Sequence, residues 1–503
     1  MVLVQTTDPD PAAADAAGEP HDQPEAADAA EVSEAEGGWR HPSINGVIVL
    51  IMVTVGLRIG LQSLGDNSFL THLATGRLIL ERGGVPGTDP YSWTANGEPW
   101  TVQSWGASLI YGTTERVAGL GGIRVLDAIL ITTLILLLWQ LIKPADTVVT
   151  RLFVGGLIVC MGTGLWVERP LLFGAVFLAF TLVAADGKVD PRWMVPVMWL
   201  WVNTHGSFPF GIVLLVLLAL GAWLDDRSVR PLKELRALGW ATVGTLLGAI
   251  NPIGPKILWF PVSMLSRTEA FERVAEWEPP TWERGVEKFF ALEIILALAF
   301  VLWRNRSWRA VLPLVVFGLA AATSTRNILQ ASIVIAPILA VGLSGMGSID
   351  GERRPQLLRP VAAALAFFAV LVAVMALAGP NTDLSQYPVA STDWMAKRGM
   401  LAPDQRVIAP DFVGNFLEYR YGPDETRVFM DDRVDMYPMP VIRDYAELLD
   451  EGGDFEGVID RHDPTAVVWK ARAPFGRYLV RSEDWAVVRR DHGWIVAVPR
   501  DTP

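Results

Sequence analysis

The sequence predicts a polytopic all-α membrane protein with a small α/β domain at its C-terminal end. Three observations predict it. Apolar residues make up 51% of the 503 and fall in blocks of roughly bilayer-spanning length, with a mean hydropathy of +0.32. Several short connections between those blocks are rich in Lys and Arg, as cytoplasmic loops are. Beyond residue 380 the pattern changes to short alternating runs of strand type.

The chain opens on an acidic leader, taken here as 1–42. Residues 1–38 carry ten Asp and Glu and no Lys or Arg. Without them the formal net charge of −12 falls to −2, so no nucleic acid or other globally charged partner is implied. A segment rich in Ala, Asp, Glu and Pro cannot bury a core, so it reads as disordered. It lacks the basic start of a signal peptide, so it is expected to stay in the cytoplasm. The single cysteine, Cys160, lies in an apolar run and rules out an internal disulfide or a Cys-ligated zinc site.

Residues 43–380 are expected to form the transmembrane domain. Eleven apolar helices are predicted, near 44–64, 121–142, 150–166, 170–185, 192–203, 207–224, 236–250, 288–303, 309–322, 327–344 and 357–379. Several are shorter than the about 20 residues that cross a bilayer upright. The loops DDRSVRPLKELR (225–236), RNRSWR (304–309) and GERRPQLLR (351–359) are basic and therefore cytoplasmic. Counting back from them, a crossing by 101–118 would put the leader outside. That segment is therefore expected to lie flat on the outer surface, beside a second short helix at 68–82 ended by Gly83-Gly84. The first outer loop then runs from 65 to 120. The turns at 167–169 and 203–206, the loop 251–286 and the segment 381–503 share its side.

In the C-terminal segment RVIAP (406–410), TRVFM (426–430), TAVVWK (465–470), WAVVRR (485–490) and WIVAV (494–498) read as strands, with VIRDYAELLD and FGRYLV helical between them. This makes a small extracytoplasmic α/β domain over 381–503.

The outer loop raises the question of function. Asp66 directly follows the first span. It is either the N-cap of the helix beginning SFLTHLA or a general base in a crevice at the membrane surface. Nearby stand His72, Arg77, Asp89 and Glu98, interleaved with Tyr91, Trp93, Trp100 and Trp105. Indoles beside carboxylates suit a pyranose, with its apolar C–H faces and rim of hydroxyls, and they equally suit the aromatic belt of a membrane protein. Asp89-Pro90 reads as an ordinary turn too. Oxygen ligands from the two aspartates leave room for a divalent cation.

Further polar groups collect on the same side. Glu168 and Arg169 in WVERP form either a helix-locking pair or, through Arg169, a bidentate phosphate ligand. Asn203 and His205 stand in WVNTHGSF. Glu276 and Trp277 in AEWEPPTWERG repeat the carboxylate-plus-indole theme. Arg326 can meet a lipid-linked phosphate or snorkel to headgroups. FMDDRVDMYP (429–438) is either a polar-ligand loop or a solvated turn. No GxGxxG or GxxxxGK[ST] loop occurs, so an activated substrate would come on a lipid.

These residues resemble those of the polyprenyl-phosphate-dependent membrane glycosyltransferases of the GT-C superfamily. DNSFLTHLATGRLILERGGVPGTDPYSWTANGEPWTVQSWGASLIYG looks like the opening of bacterial membrane proteins related to the protein-mannosyltransferase branch. ERP (168–170), NTHGSF (203–208), NPIG (251–254) and AEWEPP (275–280) extend the likeness over roughly 44–500. The resemblance implies a GT-C-like architecture in the bacterial cytoplasmic membrane. It implies a polyprenyl-phosphate-linked sugar as donor and an envelope glycan, lipid or protein as acceptor. It gives Asp66 the role of base and Asp89 that of a second carboxylate, assisting or binding a metal. Asn67 departs from relatives with two adjacent acids, because it hydrogen-bonds without supplying charge. His72, Trp93, Trp100, Arg169, Asn203, His205, Glu276, Trp277 and Arg326 are the candidate substrate-binding residues. Two rival readings remain. One is a catalytically inert envelope subunit that binds lipid or a protein partner; the other is a transporter, for which no internal repeat is visible.

Overall fold

The computed structural model describes residues 43–264, 266–271, 276–304, 306–345 and 355–500; the acidic leader lies outside the described residues. All eleven apolar segments are helical. With α2 of the first loop, the helices are α1 (Ile44–Gly60), α2 (Asn67–Arg82), α3 (Trp105–Leu141), α4 (Val148–Leu165), α5 (Pro170–Ala185), α6 (Met194–Thr204), α7 (Pro209–Asp225) and α8 (Leu232–Leu247). They continue with α9 (Lys256–Met264), the single turn α10 (Thr268–Phe271), α11 (Gly285–Trp303), α12 (Trp308–Thr323), α13 (Ile328–Gly342) and α14 (Pro355–Ala378). Three described stretches are long and apolar enough to cross a membrane by length and composition: Trp105–Leu141, Thr325–Gly342 and Arg359–Ala378. Five shorter apolar helices accompany them. Eleven crossings therefore require helices shorter than an upright span.

The element α3 is two helices in one. Gly119 has φ 65° and ψ −172°, a conformation that costs a side chain-bearing residue dearly, and it breaks 105–118 away from the apolar 120–141. The first part lies against α2 at backbone distance. A Cβ on Gly76 would stand 2.0 Å from the Ser108 carbonyl oxygen, and one on Gly112 would stand 2.6 Å from the Gly76 carbonyl carbon. Helix α2 itself ends where the Gly83-Gly84 pair predicts, with Gly83 left-handed at φ 68°.

Charged side chains close both ends of the helical part. Arg124, 1% exposed, donates to the carbonyls of Leu61 and Gln62 at the end of α1 and of Ala376 in α14, and to Asn381 Oδ1. A cation at two helix C-termini satisfies orphan carbonyls and their dipoles together. Arg169 stands at the start of α5 and Asp186 at its end. Asp186 pairs with Arg309 at 2.9 Å, and Arg309 also reaches Glu234 at 3.0 Å. Asp225 accepts the N–H groups of Trp308 and Arg309 and so caps α12 at that end.

The C-terminal segment packs into the same compact unit. It holds α15 (Val389–Ala396), β1 (Val407–Ile408), α16 (Asp411–Tyr421), α17 (Met439–Leu449), α18 (Phe455–His462), β2 (Ala466–Lys470), α19 (Pro474–Arg481), β3 (Trp485–Asp491) and β4 (Trp494–Pro499). The sheet order is β1-β2-β4-β3, with β1 parallel to β2 and the other pairs antiparallel. His492 and Gly493, both at positive φ, make the two-residue β3–β4 turn. TRVFM is not a strand of this sheet. Val428 instead bridges to Ser92, exchanging backbone bonds with Tyr91 (2.9 Å) and Trp93 (3.0 Å) of the 65–120 loop. Those backbone groups thereby gain partners where apolar cores form between loop and domain. Tyr91, Trp100, Phe271, Phe429, Tyr437 and Trp469 share one core, and Phe69, Leu73, Tyr111, Phe416 and Trp494 share another. Burying each large side chain contributes about 1.5–3 kcal/mol, so the domain is seated directly on α2.

Candidate active site

Asp66 is the N-cap that its position suggested, and it is an ion-pair partner as well. With φ −70° and ψ 132° it caps α2, and its Oδ1 accepts the Phe69 N–H at 3.2 Å. Its other oxygen, Oδ2, accepts from Arg169 Nε at 2.6 Å. The Glu168 carboxylate takes the N–H groups of Gly65 (2.5 Å) and Asp66 (2.9 Å), so the ERP turn grips the loop from both sides. Arg169 extends Nη1 to Glu276, which makes one guanidinium the bridge between two carboxylates. Burial pushes the Asp66 carboxyl above its ordinary range while Arg169 pulls it back. Burial works against the charge of Arg169 too, yet Asp66 and Glu276 outweigh it and hold the guanidinium protonated.

His72 lies farther along α2, with Nδ1 3.1 Å from Ser108 Oγ. Burial, and then the charge of Arg169, lowers its pKa to about 4, so the ring is neutral at neutral pH. The 276–278 loop is tied to the start of α13. Arg326 N–H donates to the Glu276 carbonyl (2.9 Å), and Thr325 N–H donates to that of Glu278 (3.0 Å). The Arg326 guanidinium sits 5.0 Å from the centre of the Trp277 ring, which stacks on Phe271 at 4.3 Å. Arg326 is half-buried, and among the described residues no carboxylate pairs with its guanidinium. It is thus a cation with donors to spare beside Arg169.

A residue outside the sequence-based candidates joins this group. Asp432, from FMDDRVDMYP, accepts through Oδ2 from Ser68 Oγ, two positions past Asp66. The motif stands out in the sequence, but nothing local joins it to a helix more than 360 positions earlier. Burial raises Asp432 to about 7 and Asp435 to about 6. The arrangement offers carboxylates to take a proton and guanidinium groups to hold an anion, gathered at one helix N-terminus.

No family model matches the chain, and no curated protein matches it. Solved structures do. The Archaeoglobus fulgidus oligosaccharyltransferase in the apo form aligns with TM-score 0.54 and 12% identity, over 86% of this chain and 70% of that one. The oligosaccharyltransferase AglB of the same organism, in complex with an inhibitory peptide and a dolichol-phosphate, aligns with TM-score 0.51 and 12% identity over 84% and 69%. ArnT from Cupriavidus metallidurans in the apo state aligns with TM-score 0.50 and 15% identity over 90% and 96%. The fold is GT-C-like.

Within this GT-C-like fold the other candidates have partners of their own, although His205 still feels the charge of Arg326. Asp89, 2% exposed, accepts from Ser92 N–H (2.9 Å) and Oγ (2.6 Å) and pairs with Arg433 at 2.7 Å. Arg433 also binds Asp431 at 2.5 Å and lies over the rings of Tyr91 (4.9 Å) and Trp100 (4.3 Å). Tyr437 Oη donates to Asp431 at 2.6 Å. Glu418 is pushed well up by burial and then by the charge of Asp431. Trp93 packs on Phe429 and His462 and donates to the Val407 carbonyl at 3.4 Å. The structure therefore brings Asp89, Trp93 and Trp100 together as the seat of the C-terminal domain. Asn203 accepts from Trp105 Nε1 (2.9 Å) and donates to the Trp199 carbonyl (2.7 Å), locking α6 to α3. His205 Nδ1 accepts the Ser207 N–H at 3.1 Å, which assigns the ring proton to Nε2.

A divalent cation does not fit Asp66 and Asp89 jointly, since each carboxylate is engaged by a different arginine. Among the described residues no three His, Cys, Asp or Glu side chains are grouped to hold a metal ion.

Proposed function

We propose that this chain is a bacterial membrane glycosyltransferase that moves a sugar from a polyprenyl-phosphate donor to an envelope acceptor on the extracytoplasmic side, with Asp66 as base. The observation that carries this reading is the Asp66–Arg169–Glu276 bridge at the N-terminus of α2, with Arg326 beside it. A carboxylate able to take a proton and guanidiniums able to hold an anion stand together in a GT-C-like fold. A lipid-linked donor agrees with the dolichol-phosphate bound by archaeal AglB.

The acceptor hydroxyl attacks the anomeric carbon on the face opposite the phosphate. A new C–O bond forms, the old C–O bond breaks, its electron pair leaves on the phosphate, and the proton passes to Asp66. Polyprenyl phosphate departs already ionised, so Arg169 and Arg326 stabilise it and no general acid is needed. Neutral His72 adds a polar contact without competing charge. The scheme inverts the anomeric centre.

The test is transfer by the purified protein in nanodiscs containing polyprenyl-phosphate sugars, read by mass spectrometry and product NMR. Asp66→Asn should lose about 10²–10⁴-fold in rate, the usual worth of a positioned base, while keeping the cap and the melting temperature. Retention at the anomeric carbon would overturn the inverting scheme. The cap and ion pair of Asp66 also suit an inert lipid- or partner-binding subunit, and absence of transfer by the folded wild type would favour that reading, whereas undiminished product from the Asn variant would remove Asp66 as the base.

A further inference from the structure

The DDR tripeptide divides its side chains between two sites. Asp431 and Arg433 turn into the sealed cluster with Asp89, Glu418 and Tyr437. Asp432, between them, turns the other way and meets Ser68, the second residue of α2. Its backbone is held as firmly as its carboxyl. The Asp432 N–H donates to Asn415 Oδ1 at 3.1 Å, and Asn415 Nδ2 donates to the Asn67 carbonyl at 3.1 Å. The first turn of α2 thus carries Asp66 at its cap and Asp432 on its second residue. Asp431 is fully buried, whereas Asp432 keeps part of its surface open.

We infer that Asp432 is a substrate-contacting residue of the transfer site, delivered by the C-terminal domain, which accepts a hydrogen bond from a second hydroxyl of a polyhydroxylated acceptor and turns the reacting hydroxyl toward Asp66. This rests on the glycosyl-transfer reading. An ionised carboxylate only accepts, so its natural partner is a hydroxyl-rich ligand. Holding a carboxyl here opposes folding. Asp431, Asp411 and the Tyr387 phenol face it, with Arg169 the cation that offsets them. An asparagine could equally receive the Ser68 hydroxyl without that cost, so the hydrogen bond alone does not account for an acid. The proton exchange of Asp432 near neutral pH, which burial sets first, makes acceptor binding pH-dependent. In the reaction the acceptor proton still goes to Asp66, and Asp432 keeps its charge.

The experiment compares wild type with Asp432→Asn, as full chains in nanodiscs, by melting and by transfer kinetics across neutral pH. The variant is expected to melt no lower than wild type above pH 7. Its acceptor KM should rise at least about tenfold, one charge-assisted hydrogen bond, with the donor KM unchanged. The gain in acceptor binding as pH rises through about 7 should vanish. Wild-type acceptor KM and pH profile in the variant would overturn the inference, and so would a clear fall in melting temperature with transfer intact. If wild type transfers no sugar, the functional reading falls and melting decides Asp432 alone. Destabilisation then makes it a structural hydrogen bond, whereas unchanged or higher melting keeps it as a carboxyl held for a ligand.

Discussion

Replacing Arg433 with methionine removes the cation from a buried cluster whose acids stay behind. In the native protein its guanidinium is 2.7 Å from Asp89, 2.5 Å from Asp431 and 3.6 Å from Glu418, and it is 7% exposed. Breaking a buried pair by removing one partner costs about 3–5 kcal/mol, because an uncompensated charge remains in a dry site. The cation–π contacts with Tyr91 and Trp100 are lost as well, though the methionine recovers part of their packing. With an unfolding entropy of about 2.1 cal/mol/K per residue over roughly 460 residues, 1 kcal/mol corresponds to about 1 °C, so Tm should drop by about 3–5 °C. Tryptophan fluorescence during a thermal ramp in detergent reads this directly. Adding Asp89→Asn and Asp431→Asn to the methionine variant should recover most of the loss, since no unpaired charge then remains. A single variant that melts like wild type would refute the argument. A triple variant no better than the single one would show that ring packing, not charge, carries the stability.

Arg169→Lys keeps the charge but cannot span Asp66 and Glu276 together, so transfer should fall about 10–100-fold, the worth of one charge-assisted hydrogen bond. Unchanged kinetics would remove Arg169 from the site. Gly76→Ala places a Cβ 2.0 Å from the Ser108 carbonyl oxygen; forcing α2 and α3 apart should cost about 1–3 kcal/mol in a melting experiment. Two groups give opposite pH limbs. His72 sits near 4 when folded against an ordinary 6.5, so the unfolded chain binds the extra proton and stability falls as pH drops from 6.5 toward 4. Asp432 sits near 7 against an ordinary 3.8, so the folded chain binds the extra proton and stability falls as pH rises from 3.8 toward 7. Melting curves against pH should lose the first limb in His72→Gln and the second in Asp432→Asn, and limbs unaffected by these changes would reassign them to other groups.

Local chemistry decided much of what could be read along the chain. Apolar runs became helices, Asp66 became the cap of α2, Gly83 became its left-handed end, and the alternation of WAVVRR and WIVAV became a hairpin. The period of side-chain burial and the needs of a helix end lie within a few residues, so these features depend on no distant partner. TRVFM shows the boundary of that logic. Its alternation suits a strand, but its backbone pairs with the 65–120 loop and not with the sheet.

The site belongs to the other category. Asp66 meets Arg169 across 103 positions, Arg169 meets Glu276 across 107, and Ser68 meets Asp432 across 364. Asp89, Trp93 and Trp100 share the loop with Asp66 yet are drawn into the seat of the C-terminal domain by Arg433 and Phe429. The sequence by itself determined the helices, the caps and the residue types suited to acid–base and phosphate chemistry. Only the tertiary structure decided which of those residues face one another. Loop-closure entropy grows slowly with chain length, so a charged side chain has many distant partners of similar entropic cost. The choice among them is made by burial, because a carboxylate withdrawn from water is stable only where packing also brings a donor or a cation to it.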